Sequence, residues 1–194
     1  AIRMARLFTG RHKVLSFYRS YHGNTTSAIA STGDPRRWPN EFAYGHVHFF
    51  GPYLYRSAFW AKSEEEECAR ALEHLENTII FEGPSTIAAI LIESVVGTAG
   101  VLIPPKGYLE GVRALCDKYG IIWIADEVMS GFGRTGKWFA YQHSSVEPDL
   151  IVFAKGVNSG YVPLGGVVIS KKISEHFNDR VFPGGLTYSG HPLA

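Results

Sequence analysis

Apolar positions along the chain alternate between short continuous runs and longer stretches with helical spacing. The runs at residues 13–18, 86–92, 121–125, 150–154 and 164–170 predict strands, the middle ones apolar enough to be buried on both faces. Helical spacing occupies residues 1–8, with Gly10 as its C-cap, and residues 105–119, where Leu109, Val112, Leu115 and Cys116 share a face and Gly120 is the stop. Ser63 followed by Glu64, Glu65, Glu66 and Glu67 predicts an N-capped helix running to about Asn77, its acids placed favourably on the helix dipole. Two short helices complete the pattern, one of small residues at 25–30 capped by Asn24 or Thr25, the other at 171–177. Residues 31–59, rich in Gly, Pro, Trp, Tyr and His, read as one long irregular loop, and 182–189 as a glycine-rich loop. This alternation predicts an α/β protein with a mostly parallel sheet.

Composition adds bounds to that picture. At 194 residues and 45% apolar content the chain suits one domain with an ample core. Net charge is +1 and the 19 basic residues are dispersed, which argues against a nucleic-acid surface or a membrane-binding patch. No apolar run reaches transmembrane length, and the expectation from residues 1–8 is a helix and not a signal peptide. Cys68 and Cys116 lack CxxC spacing and a clustered histidine, so they read as reduced structural thiols of a cytoplasmic protein, with no metal site. Helical periodicity from Ala1 without an N-cap, and no closing element after Gly190, lead to the expectation of a fragment of a longer polypeptide.

Candidate chemistry gathers at three strand ends. The run from Asp149 delivers Lys155 into a turn marked by Gly156; the run from Ile121 delivers Asp126; the run ending at Ile92 delivers Glu93. In an open α/β sheet these ends lie on one rim, where ligands bind. A lysine at such a place is costly to desolvate, and desolvation favours the neutral amine that attacks carbonyls. The alternative is a strand-end lysine that snorkels to solvent. Asp126 is open to a loop or capping role, but an amine and an anion together suit a pyridine-type cofactor carrying an aldehyde. Gly131, Gly133 and Gly136 match GxGxxG, yet residues 126–130 separate them from the strand and 137–148 lack helical spacing, so a tight loop is preferred to a dinucleotide site.

Four segments carry a resemblance: Tyr21-His22-Gly23, Ala125 to Gly136, Phe153-Ala154-Lys155-Gly156, and Leu186 to Pro192. In order and spacing they resemble the class III aminotransferases, in particular the ω-amino acid or amine:pyruvate branch that includes taurine:pyruvate aminotransferases. The resemblance implies the three-layer α/β/α large domain of fold type I pyridoxal-phosphate transferases. Residues 1–194 would be part of that domain, with an N-terminal segment and a C-terminal small domain outside it. It also implies pyridoxal 5′-phosphate as cofactor and a homodimer with shared active sites. Lys155 would form the aldimine with the cofactor and carry the proton during transfer; Asp126 would pair with the ring nitrogen. Tyr21 and Val128 would flank the ring, Glu93 would stand near the cofactor, and Thr187 would reach the phosphate of the neighbouring subunit.

The implied reaction moves an amino group from an ω-amino acid, amine or taurine-like donor to an oxo acid such as pyruvate, by a ping-pong route. Another use of the same chemistry, as an aminomutase or decarboxylase, or a truncated inactive subunit, is the alternative reading. Two departures stand out. Glu93-Ser-Val-Val-Gly97 is followed by Thr98 where relatives with a gating glutamate have an acid, which disfavours ornithine and 4-aminobutyrate donors, and Met129 stands where some relatives have glutamine.

Overall fold

A computed structural model describes all of residues 1–194. Six strands form one sheet in the order β2-β1-β3-β4-β5-β6. They are β1 (Lys13–Phe17), β2 (His46–Phe49), β3 (Ile87–Glu93), β4 (Ile122–Asp126), β5 (Leu150–Phe153) and β6 (Gly166–Ile169). The pairings among β1 to β5 are parallel and β6 joins β5 antiparallel. All seven residues of β3 are buried, as expected of a central strand covered on both faces.

Helices cover the two faces. On one, α3 (Glu64–Glu82) and α4 (Tyr108–Tyr119) bury Cys68, Ala71, Leu75, Ile79 and Val112 against Leu15, Ile90, Ile92 and Trp123. On the other, α1 (Ile2–Thr9) and α5 (Lys171–His176) set Ala5 and Ile173 against Val14, Leu91, Ile122, Ile124 and Leu150. The short α2 (Thr26–Ser31) buries Ile29 and Ala30, and Thr25 precedes it as N-cap residue without a side-chain cap bond. Gly10 and Gly120 end α1 and α4 in the left-handed conformation, at φ 68° and 63°.

Two elements differ from expectation. Helix α3 continues five residues beyond Asn77, because Ile79 prolongs the buried stripe and the first true breaker is Gly83-Pro84. The segment 31–59 is not wholly irregular: it contains the edge strand β2. Its His-Val-His-Phe alternation has period two, with Val47 and Phe49 packing into the core. The histidines hydrogen-bond to the end of α2: His46 Nδ1 lies 2.8 Å from Ser31 Oγ, and His48 Nε2 lies 3.0 Å from the Thr32 carbonyl.

Two buried carboxylates tie the layers. Asp149 accepts from the Trp123 amide at 2.8 Å and Arg113 Nη1 at 2.9 Å and pairs with Lys172, joining β4, α4 and α5 just ahead of β5. Glu67, read from sequence as one of a run of dipole-favouring acids, is wholly buried and accepts from the Tyr53 amide at 2.7 Å and from Ser57 Oγ. It thereby pins the loop ahead of α3.

Candidate active site

The carboxyl ends of β1, β3, β4 and β5 lie along one edge of the sheet, and the polar residues that end these apolar runs collect there. Glu93 and Asp126 are direct register partners on adjacent parallel strands, and both are buried. Asp126 Oδ2 lies 2.7 Å from His22 Nδ1, and Oδ1 accepts from the Val128 amide at 3.0 Å. A carboxylate oxygen accepts, so Nδ1 is the donor in this bond. The His22 side chain is 2% exposed, and its Nε2 is buried without a partner.

Glu93 accepts from the Tyr21 amide at 3.0 Å and the Gly97 amide at 2.8 Å. Burial raises its pKa, the neighbouring Asp126 adds to the rise, and the two amides with His22 oppose it. Tyr21 is therefore anchored through its backbone to the end of β3. Its ring carries the Arg36 guanidinium on one face, with Cζ 3.7 Å from the ring centroid.

Asp126 pairs in register with Val152 of β5, and Lys155 follows three residues later along the chain. Lys155 opens a short 3₁₀ turn at φ 42°, a left-handed conformation uncommon outside glycine. It is exposed and makes no ion pair, so the expected desolvation of its amine is absent from this chain; the strand ends at Phe153 and the turn carries the residue out of the sheet. A Cβ on Gly156 would lie 2.9 Å from Phe132 Cβ, so the lysine turn abuts the glycine loop directly. Glu127 folds that loop: it accepts from Ser130 Oγ at 2.6 Å and from the Ala140 and Tyr141 amides, each at 2.9 Å. The GxGxxG residues sit in this turn-rich segment and open no long helix, as the sequence indicated.

The predicted residues thus fall into two groups. Glu93, Asp126, Tyr21 and half-buried Val128 form one linked cluster. Lys155 lines a neighbouring hollow with Phe132, Arg134 and Ser159, whereas Asp126 lines a cleft with His22, Leu91 and Val152. Thr187 is exposed in the carboxyl-terminal coil and lines a further hollow, while its neighbour Leu186 lines both that hollow and the Asp126 cleft. His22, Arg36 and Glu127 carry site geometry that was not assigned from sequence. His22 was visible inside the Tyr21-His22-Gly23 motif, and Glu127 as a second acid beside Asp126.

A family model described as aminotransferase class-III matches residues 1–194. The chain belongs to this family. Among solved class III and related transaminases, the taurine:2-oxoglutarate aminotransferase of Bifidobacterium kashiwanohense, determined with PLP and glutamate, is 54% identical with a TM-score of 0.92, covering 96% of this chain and 43% of that one. A thermostable (S)-enantioselective omega-transaminase from Thermomicrobium roseum is 45% identical at a TM-score of 0.91, with coverages of 99% and 45%. The putrescine–pyruvate aminotransferase of Pseudomonas aeruginosa is 40% identical over 93% of this chain and 40% of its own length. A probable gamma-aminobutyrate transaminase 2 from Oryza sativa subsp. indica is 37% identical over 95% and 38%. The chain spans about two fifths of the length of these relatives. Their names cover several amino donors, so the Glu93 to Thr98 pattern does not by itself set 4-aminobutyrate aside.

Proposed function

We propose that the protein is a pyridoxal-phosphate-dependent aminotransferase. It moves an amino group from an ω-amino acid, amine or taurine-like donor to an oxo acid such as pyruvate, by a ping-pong route. The observation that carries this reading is the buried Asp126 carboxylate at the end of β4, beside a strand whose continuation presents the unpaired amine of Lys155. An anion and an amine at adjacent strand ends are the donor set the cofactor requires. Two of the Asp126 lone-pair positions are taken by His22 and Val128, and the carboxylate retains capacity for a protonated ring nitrogen.

When bound, pyridoxal phosphate supplies an electron sink that acidifies the amino-bearing carbon of the donor. Asp126 keeps a proton on the ring nitrogen, and His22 holds Asp126 in place. The Lys155 amine anchors the aldehyde end and moves the proton at the reacting carbon. Tyr21, anchored by Glu93, and Val128 confine the ring from its two faces. Thr187 is offered to the phosphate of the neighbouring subunit in a homodimer, which gives an exposed loop residue a role. Residues 1–194 form part of the cofactor-binding large domain of a longer enzyme, and the unpaired, buried Cys68 and Cys116 suit a reducing cytoplasm.

Borohydride treatment of the full-length protein with pyridoxal phosphate, followed by peptide mass mapping, is expected to place a phosphopyridoxyl adduct on Lys155. Lys155→Ala is expected to abolish both adduct and turnover. An adduct elsewhere, or turnover surviving the substitution, removes the assignment.

A further inference from the structure

Lys155 sits in a backbone conformation that its own turn does not secure. Its φ of 42° is left-handed, and a residue other than glycine keeps such a conformation only where its surroundings impose it. The hydrogen bonds of the turn, from the Val157 amide to the Ala154 carbonyl and from the Asn158 amide to the Lys155 carbonyl, are both long at 3.3 Å. Support comes from outside. Gly156 packs on the corner formed by Gly131 and Phe132, where a Cβ would lie 2.9 Å from Phe132 Cβ and 3.2 Å from the Gly131 carbonyl oxygen. Phe132 is itself left-handed at φ 59°, so the lysine turn leans on a corner that also needs holding.

One side chain holds it. Glu127 is wholly buried, and its carboxylate fastens both feet of the glycine loop, accepting from Ser130 Oγ on one side and from the Ala140 and Tyr141 amides on the other. All three are neutral donors. The Glu127 main chain adds two ties: its amide donates to the Val152 carbonyl of β5 at 2.8 Å, and its carbonyl accepts from the Gly131 amide at 2.9 Å. Glu127 therefore joins the strand that leads to Lys155 with the corner on which Gly156 rests. The Phe132 ring stands edge-on to Phe139, the residue before Ala140, and to Phe153 at the end of β5, 5.5 Å between centroids in each case. A close-packed cluster of this kind passes a shift of the Ala140 foot on to the lysine turn.

Resting on the aminotransferase reading, we infer that Glu127 is a positioning residue for Lys155: it does not touch the lysine, but fixes the corner that sets the pose of the amine toward the cofactor aldehyde. Glu127→Gln in the full-length protein keeps the side-chain volume, yet whichever way the carboxamide turns, at least one backbone amide loses its acceptor. Glu67→Gln is the matched control, a buried acid that folds a different loop through the Tyr53 amide and Ser57 Oγ. In the cofactor-free protein, hydrogen exchange of the peptide spanning 154–158 is expected to quicken about tenfold in Glu127→Gln, the worth of one charged hydrogen bond, and to stay at the parent rate in Glu67→Gln. With pyridoxal phosphate added, the rate of the borohydride-trapped adduct on Lys155 falls by the same factor, and the pH midpoint of the imine absorbance before reduction shifts, which a loss of stability alone does not cause. Phe132→Ala, which removes the ring and spares the Glu127 bonds, acts in the same direction and adds little to Glu127→Gln, because the corner works as a unit. Exchange and trapping at parent rates in a folded Glu127→Gln, or equal changes in Glu67→Gln, overturn the inference. If Glu127→Gln does not fold, Phe132→Ala decides, and parent rates in that variant overturn it. If the parent forms no adduct on Lys155, the aminotransferase reading fails, and the exchange arm still decides whether Glu127 holds the turn.

Discussion

His22→Phe isolates the bond that orients Asp126. Phenylalanine keeps a ring of similar breadth in a site that is 2% exposed, but removes the Nδ1 donor that lies 2.7 Å from Oδ2. The Val128 amide, at 3.0 Å, is then the remaining protein donor to a buried carboxylate. A hydrogen bond to a charged group contributes about 1.5–3 kcal/mol, equivalent to roughly tenfold to hundredfold in rate or affinity. Because the unpartnered Nε2 makes no bond, its loss adds nothing to this figure. Cofactor affinity, measured by fluorescence titration, and kcat/KM are both expected to fall by that factor, and His22→Asn, which restores an N–H donor, to recover part of it. In the background of Asp126→Asn, His22→Phe should cost much less, since residues acting as a unit are not additive. Equal losses in both backgrounds, or no rescue by asparagine, would show that His22 serves packing and not the carboxylate.

Beyond the borohydride mapping of Lys155 and the exchange test of Glu127, two stability tests address the scaffold. Asp149→Ala leaves the Trp123 amide without its acceptor and Arg113 without a buried partner, and is expected to cost about 3–5 kcal/mol in urea unfolding; a cost below about 1 kcal/mol contradicts the tie. His46 is held down from its usual 6.5 to about 4 by burial, with Arg6 adding to the effect, and burial also lowers His48 and His74. The unfolded chain binds more protons than the folded one in that window, so stability is present above pH 6.5 and declines as pH falls towards about 4. Glu93, raised by burial, acts in the opposite sense, its contribution being lost as pH rises above 4.5. Melting temperatures that stay level from pH 6.5 to 4 would refute histidine burial as the dominant effect.

Strand ends were the legible part of this site because a strand covered on both faces must be continuously apolar, so the first polar residue marks where the cover stops. Glu93 and Asp126 stand out for that reason. Their partners do not: the His22 to Asp126 bond spans 104 residues, and the Tyr21-His22-Gly23 motif does not say which carboxylate the imidazole meets. Strand β2 was hidden by its histidines, which look like solvent-facing residues until α2 is there to receive them. Glu67 was hidden by its neighbours, since four consecutive glutamates give one sufficient reason for their presence and only the fold shows that the last of them turns inward. The exposure of Lys155 could not be read from its apolar run, because the strand ends two residues earlier, at Phe153, and the left-handed turn decides where the amine goes.

The place of β3 in the sheet has a consequence for the order in which the site can be made. It lies between β1 and β4, so the segments bearing Tyr21 and Asp126 have no common neighbour until it is in place. The Tyr21 to Glu93 bond closes 72 residues and the His22 to Asp126 bond 104, separations whose entropy must be met before either contact returns anything. During synthesis the aromatic arm emerges first and waits for two further strands, and the lysine arrives with a third. On the aminotransferase reading, cofactor capture would be a late event requiring a finished central sheet, and binding would draw the preceding folding steps forward by mass action.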